Sequence, residues 1–581
     1  MTKDFIKNNK WAIFFALLCG IIIVFPQFYF RYDPNVPYQG IDLHGTEEEL
    51  FYFNRIREVQ DGYFSLGCPI LKTGKNLPYI TPPLGEIITA SLGKLLFLDF
   101  KNTILISRFF FTFIAFLLVY FFIFFLSEDK IISLTGAILV FLGRHFLARE
   151  GLIKLIQGKA PGGAFLQFFR PVHPQVSNLF FFGFLLFFWL FFIKKQYRFG
   201  IISLILLGSS FYVYPYLMIF LYTFCGILIL IFIFQKNFED LKRTAFVMLG
   251  GVFIAIPYLL NFYKFITHPL FSEITLRFAL IKTHQPVLHP LAFLLFIVFL
   301  LFFSRKWKER YIFSLALLLT PIVVLNQQVI TGNLNLNQHY HWYYHIPLAL
   351  IFLTIIFFEK IREKNLIKFK NIIAFFIIGA SFYNGILVQK ASYESFKPVV
   401  TEEQRYGPII DWLNKNAKKD EVVFATDNLP GLILSYTPLN VNYFYPFSFF
   451  YLCCPAEYIS QNLFLYYRLD GLEAKDAKEV FLRDEGIFSR AVYGVYYVER
   501  NPASLYSVER TSTPLPQEKV DSFAKQYEEF LSIPLEKIWK EQEINYLIWD
   551  KKYHPQWNFD QYSFLTEIYE KDNIKIYRFA Q

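Results

Sequence analysis

Three consecutive carboxylates, Glu47, Glu48 and Glu49, lie shortly after the first apolar segment of the chain. A carboxylate beside an apolar surface has a raised pKa, which suits it to take a proton from a hydroxyl. Paired carboxylates could instead hold a divalent cation, Mg²⁺ or Mn²⁺, that neutralises a diphosphate leaving group. A third interpretation is an ordinary helix start, where the helix dipole favours glutamate. We favour chemistry, because aromatic and basic residues follow the triplet.

The stretch from Glu47 to Gln60 is predicted to be a short helix. Its apolar side chains recur at roughly helical spacing; they are Leu50, Phe51, Phe53, Ile56 and Val59. Asp61-Gly62 should end the helix, since glycine tolerates the left-handed conformation found there. We therefore expect a polar, acidic helix on the outer lip of an apolar protein.

Four basic residues in two later loops are candidates for binding a phosphate. They are Arg149, Lys154, Arg170 and Arg277. Guanidinium and ammonium groups form charge-assisted hydrogen bonds with phosphate oxygens. Contact with anionic lipid headgroups, or pairing with neighbouring glutamates, is an equally open interpretation.

Polar and aromatic residues suited to a sugar occur directly before one apolar segment and between two others. Amides and imidazoles hydrogen-bond hydroxyls, and tryptophan offers a face for stacking. The candidates are His173, Gln175, Asn326, Gln328, His339, His341 and Trp342. A rigid helix start at the prolines around His173, and an interfacial aromatic belt, are the structural alternatives. His339 and His341 lack a third partner for a metal ion, so metal binding stays open.

The composition excludes a soluble globular protein. The 581 residues are 55% hydrophobic and 18% charged, with 73 phenylalanines. Several apolar runs approach the roughly 20 residues that cross a bilayer. A polytopic α-helical membrane protein with about eleven spans is predicted. The spans are placed at 11–30, 103–126, 131–147, 177–194, 199–212, 214–235, 244–263, 288–304, 309–326, 344–358 and 371–390.

The basic residues set the predicted orientation. The net charge of +10 needs no nucleic acid, because Lys and Arg concentrate in the cytoplasmic loops of membrane proteins. If Leu84–Phe97 is an interfacial helix and not a span, the short basic loops all fall on the cytoplasmic side. The N-terminus is then cytoplasmic, and the polar loops and the tail are extracytoplasmic. Positive charge at Arg149, Lys154, Arg170 and Arg277 therefore lies outside, against the usual bias.

Two domains are predicted: a transmembrane bundle at 1–390, whose first external loop spans 31–102, and an extracytoplasmic domain at 391–581. In the latter we predict a helix at Gln404–Lys418 and strands at Glu421–Ala425, Ile544–Trp549 and Ile574–Phe579, which indicate a small α/β or α+β fold.

The five cysteines are interpreted as packing residues. Cys68 is solitary, and the adjacent Cys453 and Cys454 could pair only as a strained bridge.

This layout resembles the GT-C superfamily of membrane glycosyltransferases, which includes oligosaccharyltransferases, protein mannosyltransferases and aminoarabinose transferases. The resemblance covers nearly the whole chain. Its local part is the acidic triplet followed by Tyr52, Arg55-Ile56 and Asp61-Gly62, which looks like the pattern of uncharacterised bacterial relatives. This family usually has Asp where the chain has Glu. The Trp-Trp-Asp motif of oligosaccharyltransferases is absent from the tail, which argues against peptide-asparagine glycosylation.

The resemblance implies an inverting glycosyltransferase that takes a sugar from a polyprenyl-phosphate carrier at the outer face of the cell membrane. Glu48 would be the general base, with Glu47 or Glu49 as alternative or helper, and Tyr52 and Arg55 would contact sugar or acceptor. The expected partners are the donor, membrane lipids and a glycan, lipid or protein acceptor. A lipid-linked glycan flippase or transporter and a non-catalytic envelope scaffold are the competing hypotheses. Convergence of Glu48 and Arg170 on one external cavity would favour the enzyme.

Overall fold

The computed structural model describes residues 2–45, 47–277, 281–334, 338–364, 366–494, 498–504, 507–512 and 514–580. The helices up to the end of the bundle are α1 (Thr2–Phe30), α2 (Glu47–Gln60), α3 (Leu84–Leu95), α4 (Phe100–Ser127), α5 (Lys130–Leu142), α6 (Arg149–Ile156), α7 (Gln175–Lys194), α8 (Tyr197–Val213), α9 (Pro215–Phe234), α10 (Phe238–Ile254), α11 (Ile256–Ile266), α12 (Phe271–Arg277), α13 (Pro290–Phe302), α14 (Lys308–Val324), α15 (Gln328–Thr331), α16 (Gln338–Tyr340), α17 (Ile346–Glu363) and α18 (Ile367–Glu403). A π-helical turn, His341–His345, joins α16 to α17.

The tail contains seven further helices and most of the strands. The helices are α19 (Gly407–Asn416), α20 (Leu429–Tyr436), α21 (Ala456–Leu469), α22 (Ala477–Arg483), α23 (Glu485–Tyr493), α24 (Gln517–Leu531) and α25 (Leu535–Glu541). The strands of the chain are β1 (Ile281–Lys282), β2 (Asn333–Leu334), β3 (Val422–Phe424), β4 (Asn440–Val441), β5 (Val498–Ser504), β6 (Ser507–Ser512), β7 (Ile544–Asp550), β8 (Leu565–Lys571) and β9 (Ile574–Phe579).

Apolar helices make this a multi-pass membrane protein. Within the described residues, six helices are long and apolar enough to cross a bilayer, and the bent pair α10–α11 raises the number to seven. Three shorter apolar helices, α5, α8 and α13, add to the bundle. Every predicted span overlaps with one of these helices or with α14. The count of eleven spans, and the interfacial position of α3, stay predictions.

The tail is built on a five-stranded sheet of order β4-β3-β7-β9-β8. Strand β3 pairs parallel with β4 and β7, whereas β9 pairs antiparallel with β7 and β8. The three predicted strands are confirmed as β3, β7 and β9, and the predicted helix at Gln404–Lys418 is confirmed as α19 with a preceding 3₁₀ turn. Strand β7 is buried along most of its length, which explains its continuous apolar run. Helix α18 runs unbroken through the boundary expected at residue 390.

The first loop packs into the core of the tail. One apolar cluster combines loop residues such as Leu50, Ile56 and Ile70 with tail residues such as Leu432 and Val441, while a second fills the bundle. Helix α2 has the predicted bounds, and Gly62 follows it at φ +102°. Its predicted position on the outer lip stays a prediction. The helix is buried on several sides, because the loop and tail enclose it.

A disulfide joins Cys68 of the first loop to Cys453 of the tail, across a sequence separation of 385. The expectation that the cysteines only pack is therefore wrong for these two, whereas Cys19, Cys225 and Cys454 are free and buried. The two cysteines are far apart in the chain, and the fold brings the segments that carry them together: the Val441 amide in β4 donates to the Ile70 carbonyl at 3.1 Å.

Removing this bridge should destabilise the docking of the loop on the tail. For Cys68→Ser we expect a loss of about 2–5 kcal/mol in the free energy of unfolding, because a cross-link over a long loop restricts the unfolded chain. Thermal unfolding of the purified protein measures the loss. Cys454→Ser, which removes the adjacent free thiol, is the matched control. Equal melting temperatures for wild type and Cys68→Ser would contradict the prediction.

Candidate active site

Glu48 and Arg170 form an ion pair at the junction of the bundle, the first loop and the tail. Arg170 Nη2 lies 3.0 Å from Glu48 Oε2. The Glu48 side chain is 58% exposed and that of Arg170 is 26% exposed. The two side chains that the sequence analysis placed in opposite roles therefore converge. The side chain of Glu47 lies outside the described residues.

Two phenols hold the guanidinium of Arg170 in place. Its Nη1 donates to Tyr343 Oη at 2.9 Å, and its Nη2 donates to Tyr52 Oη at 3.3 Å. The guanidinium also lies over the Tyr52 ring, 5.2 Å from its centroid. Its Nε is buried and has no hydrogen-bond partner within the described residues. Helix α2 thus supplies Glu48 and Tyr52 one turn apart, and the segment before α7 supplies the arginine.

Glu49 is part of a buried network and is not available as a base, which corrects its assignment as a helper. Its Oε2 lies 2.6 Å from Arg108 Nη2, and both side chains are almost fully buried. Arg108 also donates to Gln27 Oε1 and to the Phe169 carbonyl, at 2.6 and 2.7 Å. A Cβ at Gly45 would lie 2.9 Å from Glu49 Oε1, so a larger residue there would displace this carboxylate. The network fixes α2 to the bundle.

Arg55 is likewise structural, which corrects its assignment to sugar or acceptor binding. Its Nε donates to Glu86 Oε1 of α3 at 2.5 Å, and neither side chain is more than 1% exposed. Its Nη2 donates to the Thr81 carbonyl at 3.0 Å. The charge of Arg55 is matched by Glu86 inside the protein. It sets the position of α2 relative to α3.

A stack of aromatic rings continues from Tyr52 into the bundle. His173 meets Tyr52 edge-on, with centroids 5.6 Å apart, and stacks on Tyr214 at 3.9 Å. Tyr214 in turn hydrogen-bonds His339. Burial and the positive charge of Arg170 lower the pKa of His173 well below its ordinary value, so this imidazole is neutral. Both of its ring nitrogens are buried and have no hydrogen-bond partner within the described residues.

Arg144 is a residue that the sequence analysis missed. It begins a 3₁₀ turn after α5 and lies close enough to Tyr343 to interact with its phenol. Burial lowers the pKa of Arg144, and the Tyr343 phenol acts in the opposite direction. No carboxylate in the described part of the chain pairs with it. A half-buried guanidinium without a counter-ion favours an anion nearby. Its position at the end of an apolar run, beside a histidine, was the available signal.

The other predicted phosphate ligands lie elsewhere. Arg149 and Lys154 are exposed on α6, just after the turn that Arg144 begins. Arg277 is buried against the tail, where it pairs with Glu273 and donates to the Cys454 carbonyl at 2.8 Å. Its assignment to the donor phosphate is corrected, because the bond to the Cys454 carbonyl holds α12 on the tail and the pair with Glu273 lies within α12.

Three amides assigned to sugar binding serve the backbone, and their assignment is also corrected. Gln175 donates to the Phe168 carbonyl at 2.7 Å. Asn326 accepts from the Val287 amide at 2.7 Å and Gln328 donates to the Gln285 carbonyl at 3.1 Å, which joins two loops. His339 stays within the ring stack, and Trp342, 39% exposed, lies next to Tyr343. His341 belongs to a different cluster, described below.

Among the side chains that the structure describes, which do not include that of Glu47, the carboxylates near Glu48 do not form a site for Mg²⁺ or Mn²⁺. Glu48 faces a guanidinium and Glu49 is paired with Arg108, so the described residues bring no second free carboxylate to Glu48. These ions prefer several oxygen ligands. Within the described residues, the one group of three potential metal ligands consists of histidines.

Replacing Arg170 by lysine tests its geometry. Lysine keeps the charge but cannot bridge Glu48, Tyr52 and Tyr343 with a planar fork. We expect affinity for a phosphate-bearing ligand to fall about 10-fold, with little change in stability because the site is partly exposed. Binding of undecaprenyl phosphate to the variant in nanodiscs measures the change. Arg149→Lys, at an exposed position, is the control, and equal losses in both variants would contradict the assignment.

Comparisons with known proteins give structural likeness only. No family model matches the chain, and no curated protein matches its sequence. An oligosaccharyltransferase of Archaeoglobus fulgidus, tethered to an acceptor peptide containing the NVT sequon, is 11% identical with a TM-score of 0.47, over 94% of this chain and 70% of that chain. ArnT from Cupriavidus metallidurans, bound to undecaprenyl phosphate, is 11% identical with a TM-score of 0.41, over 74% and 86%.

Proposed function

We propose that this protein is an inverting glycosyltransferase that takes a sugar from a polyprenyl-phosphate carrier and gives it to a hydroxyl of an envelope or protein acceptor. The observation that carries the proposal is the ion pair between an accessible carboxylate, Glu48, and Arg170 at 3.0 Å. A base and a fixed cation within one accessible site are what transfer from a phosphate leaving group requires. Apolar helices beside the site provide a surface for a polyprenyl chain.

In the proposed reaction, Glu48 removes the proton from the acceptor hydroxyl. The hydroxyl oxygen then attacks the anomeric carbon, and the bond from that carbon to the phosphate oxygen breaks. The electron pair leaves with the polyprenyl phosphate. Arg170 and Arg144 stabilise its growing negative charge, since cations fixed before the reaction need no reorganisation. Attack opposite the leaving group inverts the anomeric centre.

The buried ring nitrogens of His173 are candidates to hydrogen-bond the sugar or the phosphate. Both lack a partner within the described residues, and the imidazole is neutral. A neutral imidazole can donate from one nitrogen and accept at the other. Tyr52, Tyr343 and His339 would enclose the sugar on neighbouring sides. Trp342 offers a partly exposed face at the edge of the site.

The site and the tail are proposed to be extracytoplasmic. The disulfide between Cys68 and Cys453 supports this orientation, because such bonds persist in oxidising compartments and not in the cytosol. It also agrees with the concentration of Lys and Arg in the loops predicted to be cytoplasmic. The N-terminus would then lie in the cytoplasm.

A turnover assay tests the proposed reaction. Purified protein in nanodiscs is mixed with a panel of undecaprenyl-phosphate hexoses and pentoses and with envelope extract as acceptor, and release of undecaprenyl phosphate is measured. We expect one donor to be consumed, with label entering the acceptor fraction. A flippase would move donors between leaflets and leave the sugar–phosphate bond intact. Intact donors throughout the panel would contradict the proposal.

A further inference from the structure

Three histidines lie together beside the segment that carries Tyr343. His289 precedes α13, and His341 and His345 lie on one face of the π turn before α17. One potential ligand atom of each lies within 4.8 Å of those of the other two. The Nδ1 atoms of His341 and His345 are 3.1 Å apart, and the rings of His289 and His341 have centroids 4.2 Å apart.

The cluster is short of hydrogen-bond partners. His345 is fully buried, and its Nε2 has no partner within the described residues; the same holds for the buried Nδ1 of His289. In the described part of the chain, no carboxylate forms an ion pair with any of these three residues. Protonated imidazoles would therefore have no paired counter-ion there. Burying such nitrogens unpaired costs about 1–3 kcal/mol each. A bound cation that accepts the lone pair of His289 Nδ1 would remove that cost at His289.

The geometry is near that of a tetrahedral metal site. With metal–nitrogen bonds of about 2.0–2.1 Å, ligand nitrogens lie about 3.3 Å apart. The observed pair at 3.1 Å is close to this distance, and the other ligand atoms, which lie within 4.8 Å, would have to approach on binding. Neutral imidazoles suit Zn²⁺, Cu²⁺, Ni²⁺ and Co²⁺, whereas Mg²⁺ prefers oxygen. Three protein ligands leave a fourth position for water.

We propose that His289, His341 and His345 bind one Zn²⁺ ion that holds the π turn in place. Tyr343 of the same turn bonds Arg170, and His339 of α16, just before the turn, bonds Tyr214. The ion would therefore link α13 to the turn and fix the phenol that orients Arg170. Short π-helical segments are frequent at functional sites, where they place side chains that a regular helix could not. The zinc proposal does not depend on the proposed transferase activity.

Zinc binding to the whole protein tests the proposal. After removal of metal with a chelator, detergent-solubilised protein is titrated with ZnCl₂, and bound zinc is counted by mass spectrometry. We expect one ion per chain with a Kd of about 1 µM or lower, unaffected by excess Mg²⁺. His341→Gln/His345→Gln should weaken binding by about 100-fold or more. The control, His284→Gln at an exposed position, should bind as wild type does.

A measurement on the wild-type chain covers the case in which the double variant does not fold. Co²⁺ bound in place of Zn²⁺ should give the intense visible absorption of a tetrahedral complex, and hydrogen exchange at 338–347 should slow when zinc is added. A weak spectrum like that of aqueous Co²⁺ would overturn the proposal. So would zinc binding that is unchanged in a folded His341→Gln/His345→Gln variant. Unchanged exchange at 338–347 would overturn the role in holding the turn.

Discussion

Glu48→Gln is expected to lower the rate of sugar transfer by about 10²–10⁴-fold, the usual contribution of a general base. The amide matches the carboxylate in shape but cannot accept the proton of the acceptor hydroxyl. Stability should change little, since the Glu48 side chain is 58% exposed and exposed ion pairs contribute about 0–1 kcal/mol. Release of undecaprenyl phosphate by equal amounts of folded protein measures the effect.

The matched control for this variant is Glu150→Gln. Glu150 is an exposed carboxylate on α6, just after the turn that Arg144 begins. It should retain the wild-type rate, whereas Glu48→Asp should retain a fraction of it because the shorter carboxylate still accepts a proton. Full activity in Glu48→Gln would show that Glu48 is not the base. Equal losses in Glu48→Gln and Glu150→Gln would point to a general charge effect.

Arg108→Met should destabilise the protein by about 3–5 kcal/mol, the cost of leaving a buried charge unpaired. The substitution strands Glu49, which is almost fully buried and 2.6 Å from the guanidinium. It also removes the donors to Gln27 and to the Phe169 carbonyl. Unfolding of the purified protein in mixed detergent micelles gives the change in free energy.

A double variant separates the stranded charge from lost packing. In Arg108→Met/Glu49→Leu no charge is left unpaired, so we expect a large part of the stability to return. Lys475→Met, which breaks an exposed pair with Glu473, is the control and should leave the free energy of unfolding nearly unchanged. A small effect of Arg108→Met alone would show that the buried network does not anchor α2.

Local patterns in the sequence predicted local structure well. Apolar spacing and Asp61-Gly62 predicted α2 with its observed bounds, and short β-branched or aromatic runs predicted β7 and β9. Each of these features depends on side chains that are neighbours in the chain. The packing of the tail over α2 was not predicted, because the cluster that joins Leu50 to Leu432 brings together residues far apart in the chain.

The division of roles among similar residues could not be read from the sequence. Glu48 and Glu49 are adjacent, yet one faces Arg170 and the other Arg108, because successive residues on a helix point in different directions. Partners distant in the chain, such as Cys68 with Cys453 and His289 with His345, come together only through the tertiary fold. Arg144 was missed because a single arginine at the end of an apolar run gives no distinctive spacing.

Binding of undecaprenyl phosphate to the purified protein in nanodiscs tests most directly that Arg170 and Glu48 flank a lipid-phosphate site. Wild type, Arg170→Met and Glu48→Gln are compared. We predict saturable binding to wild type and at least equal affinity in Glu48→Gln, which removes a negative charge beside the phosphate. Arg170→Met should bind about 10- to 150-fold more weakly, corresponding to a charged hydrogen bond of about 1.5–3 kcal/mol. No saturable binding to wild type, or equal affinity in all three proteins, would contradict the account.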